Sequence, residues 1–381
     1  MNTRGEFIPN GCWSCGSPPE TGHTPRCEAT TSSDKIVHEA KEDAKTEREG
    51  TIEEVTQYTD QAIDEVMEYL EQVFAYEHVE QNFRFHNPEH TRGVISRLER
   101  ILDTMQAGGV QLSHAERDLG RIMAAYHDTI QGWEVNQDWP EGSEDATYGK
   151  KMRKRFTKQN ERLSGDMAVR AMEDANEQAG KRIFTEEDSA RVRSGIDGTV
   201  PGFDPELGTV IQPNAEASSD VLVIALALAD LGEAGMESPD VYLTGGDNLF
   251  IEENMDMWDL DIEDLDDEQK AYYQGRMTGW NNFQPIFADG RRKKLDDEIA
   301  SLPEGAQTLV RNLFSHFDET ITEARERAER RADMTFEELY EEMGFLKGDI
   351  AGSVEANRAY DEALSEAKAA ASKVRLDQAA K

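Results

Sequence analysis

From residue 51 onward, apolar residues recur every three or four positions along most of the chain. In the run IEEVTQYTDQAIDEVMEYLEQVF, the positions Ile52, Val55, Ala62, Ile63, Val66, Leu70 and Val73 share one face, the spacing of a helix that buries one side. Residues 89–106 repeat the pattern with Val94, Ile95, Leu98, Ile101, Leu102 and Met105, and residues 114–131 with Leu119, Ile122, Met123, Tyr126 and Ile130. Helices with more polar faces are predicted over 144–179 and 186–198, and a short apolar one over 218–232. The series continues over 266–277, 291–301, 304–330 and 335–376, the last rich in Ala, Glu and Lys. No long alternating run points to a strand and no internal repeat is present, so the predicted fold class is all-α. A Gly/Pro-rich loop from Gly195 to Pro213 and an acidic stretch from Glu252 to Glu268 interrupt the helices.

Residues 1–50 differ from the rest. They are rich in Gly, Pro, Ser and Thr up to Cys27, then polar and charged with few core formers. Such a segment buries too little apolar surface to offset its ordering entropy. The expected organisation is a flexible tail over 1–50, a helical domain over 51–320 and a C-terminal helical extension over 321–381. The charged helical segment 304–376 reads as a solvated hairpin packed on the core, with dimerisation as the second reading.

Charge narrows the choice of partners. The 381 residues carry 78 acids against 41 Lys and Arg, a net charge of −37. Nonspecific binding of nucleic acid or of an anionic membrane is disfavoured, because phosphate contacts require cations. A small phosphorylated substrate held through a metal stays open. The longest apolar run, Val221 to Ala229, falls far short of a membrane span. The opening MNTRGEFIPNG lacks the apolar stretch of a signal peptide, and all three cysteines lie in the first 27 residues. A reducing, cytoplasmic setting is expected. The acidity fits either solubility or a high-salt cytoplasm, and 15 Lys against 26 Arg fits the latter weakly.

Candidate chemistry rests on few residues. His86 and His90 lie four apart in FHNPEH, His127 directly precedes Asp128 in AAYHDTI, and Asp230 ends the apolar run VLVIALALAD. Asn87-Pro88-Glu89 is a helix start: Asn caps, Pro suits the first position and Glu suits the positive end of the dipole. His86 then lies just outside that helix and His90 in its first turn. His127 and Asp128, placed inside the helix 114–131, would flank one point at the edge of its buried face, being about 100° apart. A carboxylate after nine apolar residues is expected near the core, where a cation is its natural partner; the other reading is a surface residue at a helix end, since Gly232 follows. Two imidazoles and two carboxylates suit a divalent transition metal, which lowers the pKa of bound water. A nearby histidine that does not ligate can protonate a leaving group.

In this order, the residues resemble the HD-domain superfamily of metal-dependent phosphohydrolases. HNPEH is similar to the H-N-x-x-H motif of cyclic-nucleotide phosphodiesterases and of a group of bacterial HD proteins. Arg84-Phe85-His86-Asn87 resembles the R-x-Y-H-N of that group, with Phe for Tyr. AAYHDTI resembles its second motif and ALADLG its last. Glu144 in GSEDAT resembles an acidic position after the HD pair, with Ser143 where Asn is usual. The likeness spans about residues 60–320, with Trp280, Gln284 and Arg291 in its final helices. It implies an HD-domain helical bundle in which His90, His127, Asp128 and Asp230 ligate a metal, Asp128 bridging to a second where one is present. One or two divalent ions (Mn, Mg, Fe, Co or Zn) are implied as cofactors. His86 would be the general acid, and Glu144 a base acting through water or a support to the ligands. Asn87 would orient His86 or cap the helix, the cap being favoured.

Two further features bear on partners. Lys150 to Lys158 holds six cations in nine residues. It reads as a solvated helix paired with acids, or as a phosphate clamp in which Lys151 and Arg155, with Arg84 and Asn87, contact substrate. Cys12, Cys15, His23 and Cys27 form a set suited to tetrahedral structural zinc. They loosely resemble a zinc knuckle; the other reading is a tail with incidental thiols. The function expected is hydrolysis of a nucleotide or other small phosphate ester by metal-activated water. The alternative is a non-catalytic metal- or nucleotide-binding regulatory protein that recruits a partner through the Cys-rich tail.

Overall fold

A computed structural model describes residues 47–74, 83–216, 218–258 and 260–345. The cysteine and histidine set of the tail, and the chain beyond Phe345, lie outside the described residues.

The apolar periodicity produces the helices it predicts where turn chemistry agrees with it. Helix α1 (Ile52–Phe74) starts at Thr51, whose hydroxyl accepts from the Glu54 N–H while the Glu54 carboxylate accepts from the Thr51 N–H, a reciprocal cap. Helix α2 (Pro88–Ala107) starts at Asn87 as read, and helix α3 (His114–Tyr126) starts with a Ser113–Glu116 capping box. Their stripes meet: Val55, Leu98, Ile101, Met105, Ile122 and Met123 are fully or almost fully buried. Each such Leu or Ile contributes on the order of 1.5–3 kcal/mol. Helices α5 (Gln159–Ala179) and α6 (Glu186–Gly198) pack on α3, and α8 (Val221–Asp230) threads the centre with Leu222, Ala225, Leu226 and Ala229 at 0% exposure.

Several boundaries differ from the sequence reading. The helix expected over 114–131 ends at Tyr126, and His127 is its cap residue. The helix expected over 144–179 is three elements: a short α4 (Glu144–Thr147), a strand β2 (Met152–Arg155) and α5. Gly149 and Lys158 adopt positive φ (65° and 69°), which no continuous helix accommodates. Strand β2 pairs antiparallel with β1 (Trp133–Asn136), so the basic run lies on a hairpin. The loop Gly195–Pro213 completes α6, then forms a second hairpin, β3 (Gly202–Asp204) with β4 (Thr209–Ile211), and enters α7 (Pro213–Glu216).

The C-terminal half is also re-divided. After a short α9 (Glu233–Met236), an unanticipated helix α10 (Pro239–Glu253) leads into the acidic stretch. The segments 266–277 and 291–301 are parts of one helix, α11 (Asp267–Glu298). Its buried stripe runs unbroken through Met277, Asn281, Gln284, Ala288, Arg291 and Leu295, but half of those residues are polar and hide the period. The segment 304–330 breaks near Phe314 into α12 (Glu304–Leu313) and α13 (Phe317–Ala332). The end of 335–376 that is described contains α14 (Phe336–Glu342).

Neither expected domain boundary falls at a break in packing. Arg48 pairs with Asp188 at 2.9 Å, and the Glu49 N–H donates to the Arg182 carbonyl, so residues 47–50 belong with the helices. Residue 320 lies inside α13, whose Ile321 and Ala324 are buried in the main core. A second apolar cluster, including Phe250, Met277, Phe336, Tyr340 and Phe345, joins α10, α11 and α14. Arg331, 1% exposed, pairs with Asp247 at 2.8 Å and donates to Asn281 at 2.7 Å, tying α13 to α10 and α11.

A tight backbone approach joins the end of α2 to α12. A Cβ at Gly108 would lie 2.2 Å from the Ala306 Cα and 2.4 Å from its nitrogen. Gly108→Ala forces these two helices apart. The expected cost is roughly 1–3 kcal/mol of unfolding free energy, measured by urea denaturation with an unchanged m-value.

Candidate metal centre

Three helix ends converge on one point. His90 lies in the first turn of α2, held there because the Asn87 side chain accepts from the His90 N–H at 3.0 Å. Asn87 also donates to the Arg84 carbonyl at 2.8 Å, so both ends of its amide are engaged and its place is that of the cap. His127 and Asp128 sit where α3 ends, not within it. The turn that follows is pinned to α5: the Ile130 N–H donates to Ser164, and Gly132 exchanges two hydrogen bonds with the Asn160 amide. Asp230 is the last residue of α8. The buried Arg97 donates to the preceding carbonyl, Ala229, at 2.6 Å, and so fixes that end against α2.

His90 Nε2 lies 3.6 Å from Asp128 Oδ2 and 3.5 Å from Asp230 Oδ1; His127 Nε2 lies 3.4 Å from each of the same oxygens. One ligand atom from each of the four residues lies within 4.8 Å of all the others. The His127 Nδ1–H donates to the Ala124 carbonyl at 2.8 Å, which leaves the lone pair of neutral His127 on Nε2, facing the carboxylates. Neither His90 Nε2 nor His127 Nε2 has a hydrogen-bond partner, although both are buried. Asp230 Oδ2 accepts from Gln212 at 2.7 Å. Buried imidazole nitrogens left without partners, facing two carboxylates, are a donor set suited to a divalent cation.

The electrostatics show what this arrangement costs without a cation. Burial works against charge on His127, yet the Asp128 and Asp230 carboxylates outweigh it and raise its pKa to about 9. Burial pushes Asp128 up, but His127, Arg155 and His86 hold it down at about 2. Asp230 is likewise held well below the usual range, against burial, by His127 and His90.

His86 stands beside this set with both ring nitrogens engaged. Nδ1 lies 2.6 Å from Glu252 Oε1, and Nε2 lies 2.7 Å from Arg155 Nη1. A guanidinium only donates, so Nε2 is the acceptor and the Nδ1–H donates to Glu252. Burial and the Arg155 charge lower the pKa of His86, so the resting ring is neutral. The phenyl ring of Phe85 lies 4.9 Å from the His86 ring and 4.7 Å from that of His90.

Glu252, on α10, was not anticipated as a site residue. Its Oε2 accepts from the backbone N–H groups of Phe85 and His86 at 2.9 and 3.1 Å, and its Oε1 also lies 3.3 Å from Arg153. It therefore holds the turn that carries His86. Arg153 is buried against the rings of Phe83, Trp133 and Trp258. Because strand side chains alternate, Arg153 and Arg155 point to the same side of the hairpin while Lys154 points away to Glu134. A helix would have set the two arginines about 200° apart.

The other expected site residues are not brought together here. Glu144 is exposed at the start of α4, and Lys151 is exposed on the hairpin; no described contact links either to the cluster. Arg84 donates to the Gly344 carbonyl at 2.8 Å, toward the second apolar cluster. Glu161, 4% exposed, lies within range of the Arg155 and Asp128 charges. No signal in the sequence separates Glu161, Glu252 or Gln212 from the many other polar residues.

Comparison with known proteins gives no match to a family model, a curated protein or a solved structure. No described helix is long and apolar enough to cross a membrane.

Glu252 gives a stability test with a defined sign. Burial raises its pKa, but His86, Arg153 and the Phe85 N–H outweigh it and hold it at about 2, against an ordinary 4.5. Its contribution is complete above about pH 4.5 and is lost as pH falls toward 2. Glu252→Gln removes the carboxylate charge that faces Arg153 and His86 and is expected to cost roughly 3 kcal/mol at neutral pH. The gap between wild type and variant, read by urea unfolding, should shrink only below about pH 4.5.

Proposed function

We propose that this chain is a metal-dependent phosphohydrolase of the HD type, acting on a nucleotide or other small phosphate ester. The observation that carries this reading is the convergence of His90, His127, Asp128 and Asp230, with two buried imidazole nitrogens left unpartnered between two carboxylates. The order of these residues along the chain, and the histidine that precedes them by four positions, support it from the sequence.

In this reading the four residues hold the ion. A divalent metal there supplies a Lewis acid and a water of lowered pKa. The side chains around it do the rest. Arg155 presents a fork that matches two oxygens of a phosphate. As the guanidinium turns to the substrate, His86 Nε2 is released. The freed Nε2 takes up a proton from solvent, the ionised Glu252 carboxylate stabilises the resulting imidazolium by accepting from Nδ1–H, and His86 then delivers that Nε2 proton to the leaving oxygen. Glu252 is thus a positioning residue for His86. The bulk of the acidic surface repels free anions, which leaves Arg155 and the ion to supply the attraction.

Three results are expected. Asp128→Ala loses metal-dependent hydrolysis of generic phosphate esters and nucleotides by at least about 10³-fold, with helical circular dichroism unchanged; surviving activity would reject the assignment. His86→Ala lowers kcat by about 10²–10⁴-fold for substrates with a poor leaving group, and less for an aryl phosphate whose leaving oxygen needs no proton. The third concerns pH. The proton on His127 competes with the ion for Nε2, so Mn²⁺ affinity should rise with pH toward about 9. The slope expected for one displaced proton is about tenfold per unit, measured by titration calorimetry in buffers of different ionisation enthalpy.

A further inference from the structure

Arg155 occupies a position that has the properties of a second cation site. The two oxygens of Asp128 face different partners. Oδ2 lies 3.6 Å from His90 Nε2 and 3.4 Å from His127 Nε2, whereas Oδ1 lies 3.4 Å from Arg155 Nη2. That is the disposition of a carboxylate that bridges two positive charges. His86 Nε2, 3.9 Å from Asp128 Oδ2, is taken by Arg155 Nη1 at 2.7 Å.

The surroundings of the guanidinium are those of a cation site. Asp128, Glu161, Glu252 and Glu253 all act on its charge. Glu161 is 4% exposed and its Oε2 has no hydrogen-bond partner. Removal of the guanidinium would free Asp128 Oδ1 and His86 Nε2, the two atoms it bonds, a carboxylate oxygen and an imidazole nitrogen of the kind divalent ions accept. The hairpin keeps Arg155 there, since its strand position pairs with Trp133. An arginine is also never deprotonated at any pH the protein survives.

We propose that the centre is mononuclear and that the Arg155 guanidinium takes the place of a second metal ion. This rests on the metal-centre reading above and deepens it. Two-metal sites clamp a phosphoryl group between ions about 3.5–4 Å apart. Here the clamp is one ion and one planar fork. The fork imposes a direction that a spherical ion does not, so the substrate group it accepts presents two oxygens in one plane, as a terminal phosphate does.

The test is metal stoichiometry, not turnover. The full chain is loaded with Mn²⁺, desalted, analysed for bound manganese and read by electron paramagnetic resonance. Thiols in the tail favour softer ions, and zinc there is silent in the spectrum. Wild type is expected to hold one Mn²⁺ with the spectrum of an isolated ion. Arg155→Ala and Arg155→Gln are expected to hold a second, with the signal of a spin-coupled pair, and Arg155→Lys to stay at one. Two coupled ions in wild type would overturn the proposal while leaving the metal centre intact. No bound ion in wild type would instead reject the metal centre itself. A folded neutral variant that stays at one ion would also overturn the proposal. If both neutral variants fail to fold, the wild-type count and spectrum decide.

Discussion

Two carboxylates brought to the end of an apolar core must be neutralised, and much of the local structure answers that demand. Asp230 closes a helix whose other residues are almost all buried, and Asp128 follows a helix that packs against it. In such surroundings an isolated carboxylate is far more costly than in water. The chain meets the demand with imidazoles from the start of α2 and the end of α3, an amide from Gln212 and a guanidinium from the hairpin. Local hydrogen bonds hold the helix termini near the site in register. The Asn87 cap, the Arg97 bond to the Ala229 carbonyl and the Asn160 bonds to Gly132 each fix one end to within hydrogen-bond tolerance.

The same constraint explains why the site is made of termini. A helix interior has its backbone groups paired and offers only side chains. A helix end offers a change of direction, and side chains from several ends can meet at one point without the helices colliding. Here α2 contributes its start, and α3 and α8 contribute their ends. The packing that brings them together is ordinary hydrophobic burial along α2, α3 and α8, so the cost of concentrating charge is borne by a large core.

What was legible in the sequence is what depends on contrast between neighbouring positions. His127, Asp128 and Asp230 stand out because each interrupts or borders an apolar run, and His90 because it follows another histidine by four positions across a helix start. The hairpin was not legible. Its inward residue Arg153 plays the part usually taken by an apolar residue, lying against three aromatic rings, while its neighbours Lys154 and Arg155 are also cationic. An alternation in direction without an alternation in polarity leaves no period to read. Glu252 was hidden for a related reason: in a stretch crowded with acids, only tertiary packing shows which one is buried. Glu144 lies close to the HD pair in sequence but is carried outward with the loop that joins the two strands.

The hairpin has a further consequence, for how this protein tolerates insertions and deletions. Side-chain direction in a strand has the parity of its position. A residue added to the loop between Asn136 and Met152 leaves that parity intact, and the two arginines keep their place. A residue lost within Met152–Arg155 reverses it. Loss of Lys154, for example, would put the two arginines on opposite faces, and one guanidinium would face solvent. The length of the loop is therefore free to drift, while the count of residues within four positions of one strand is not.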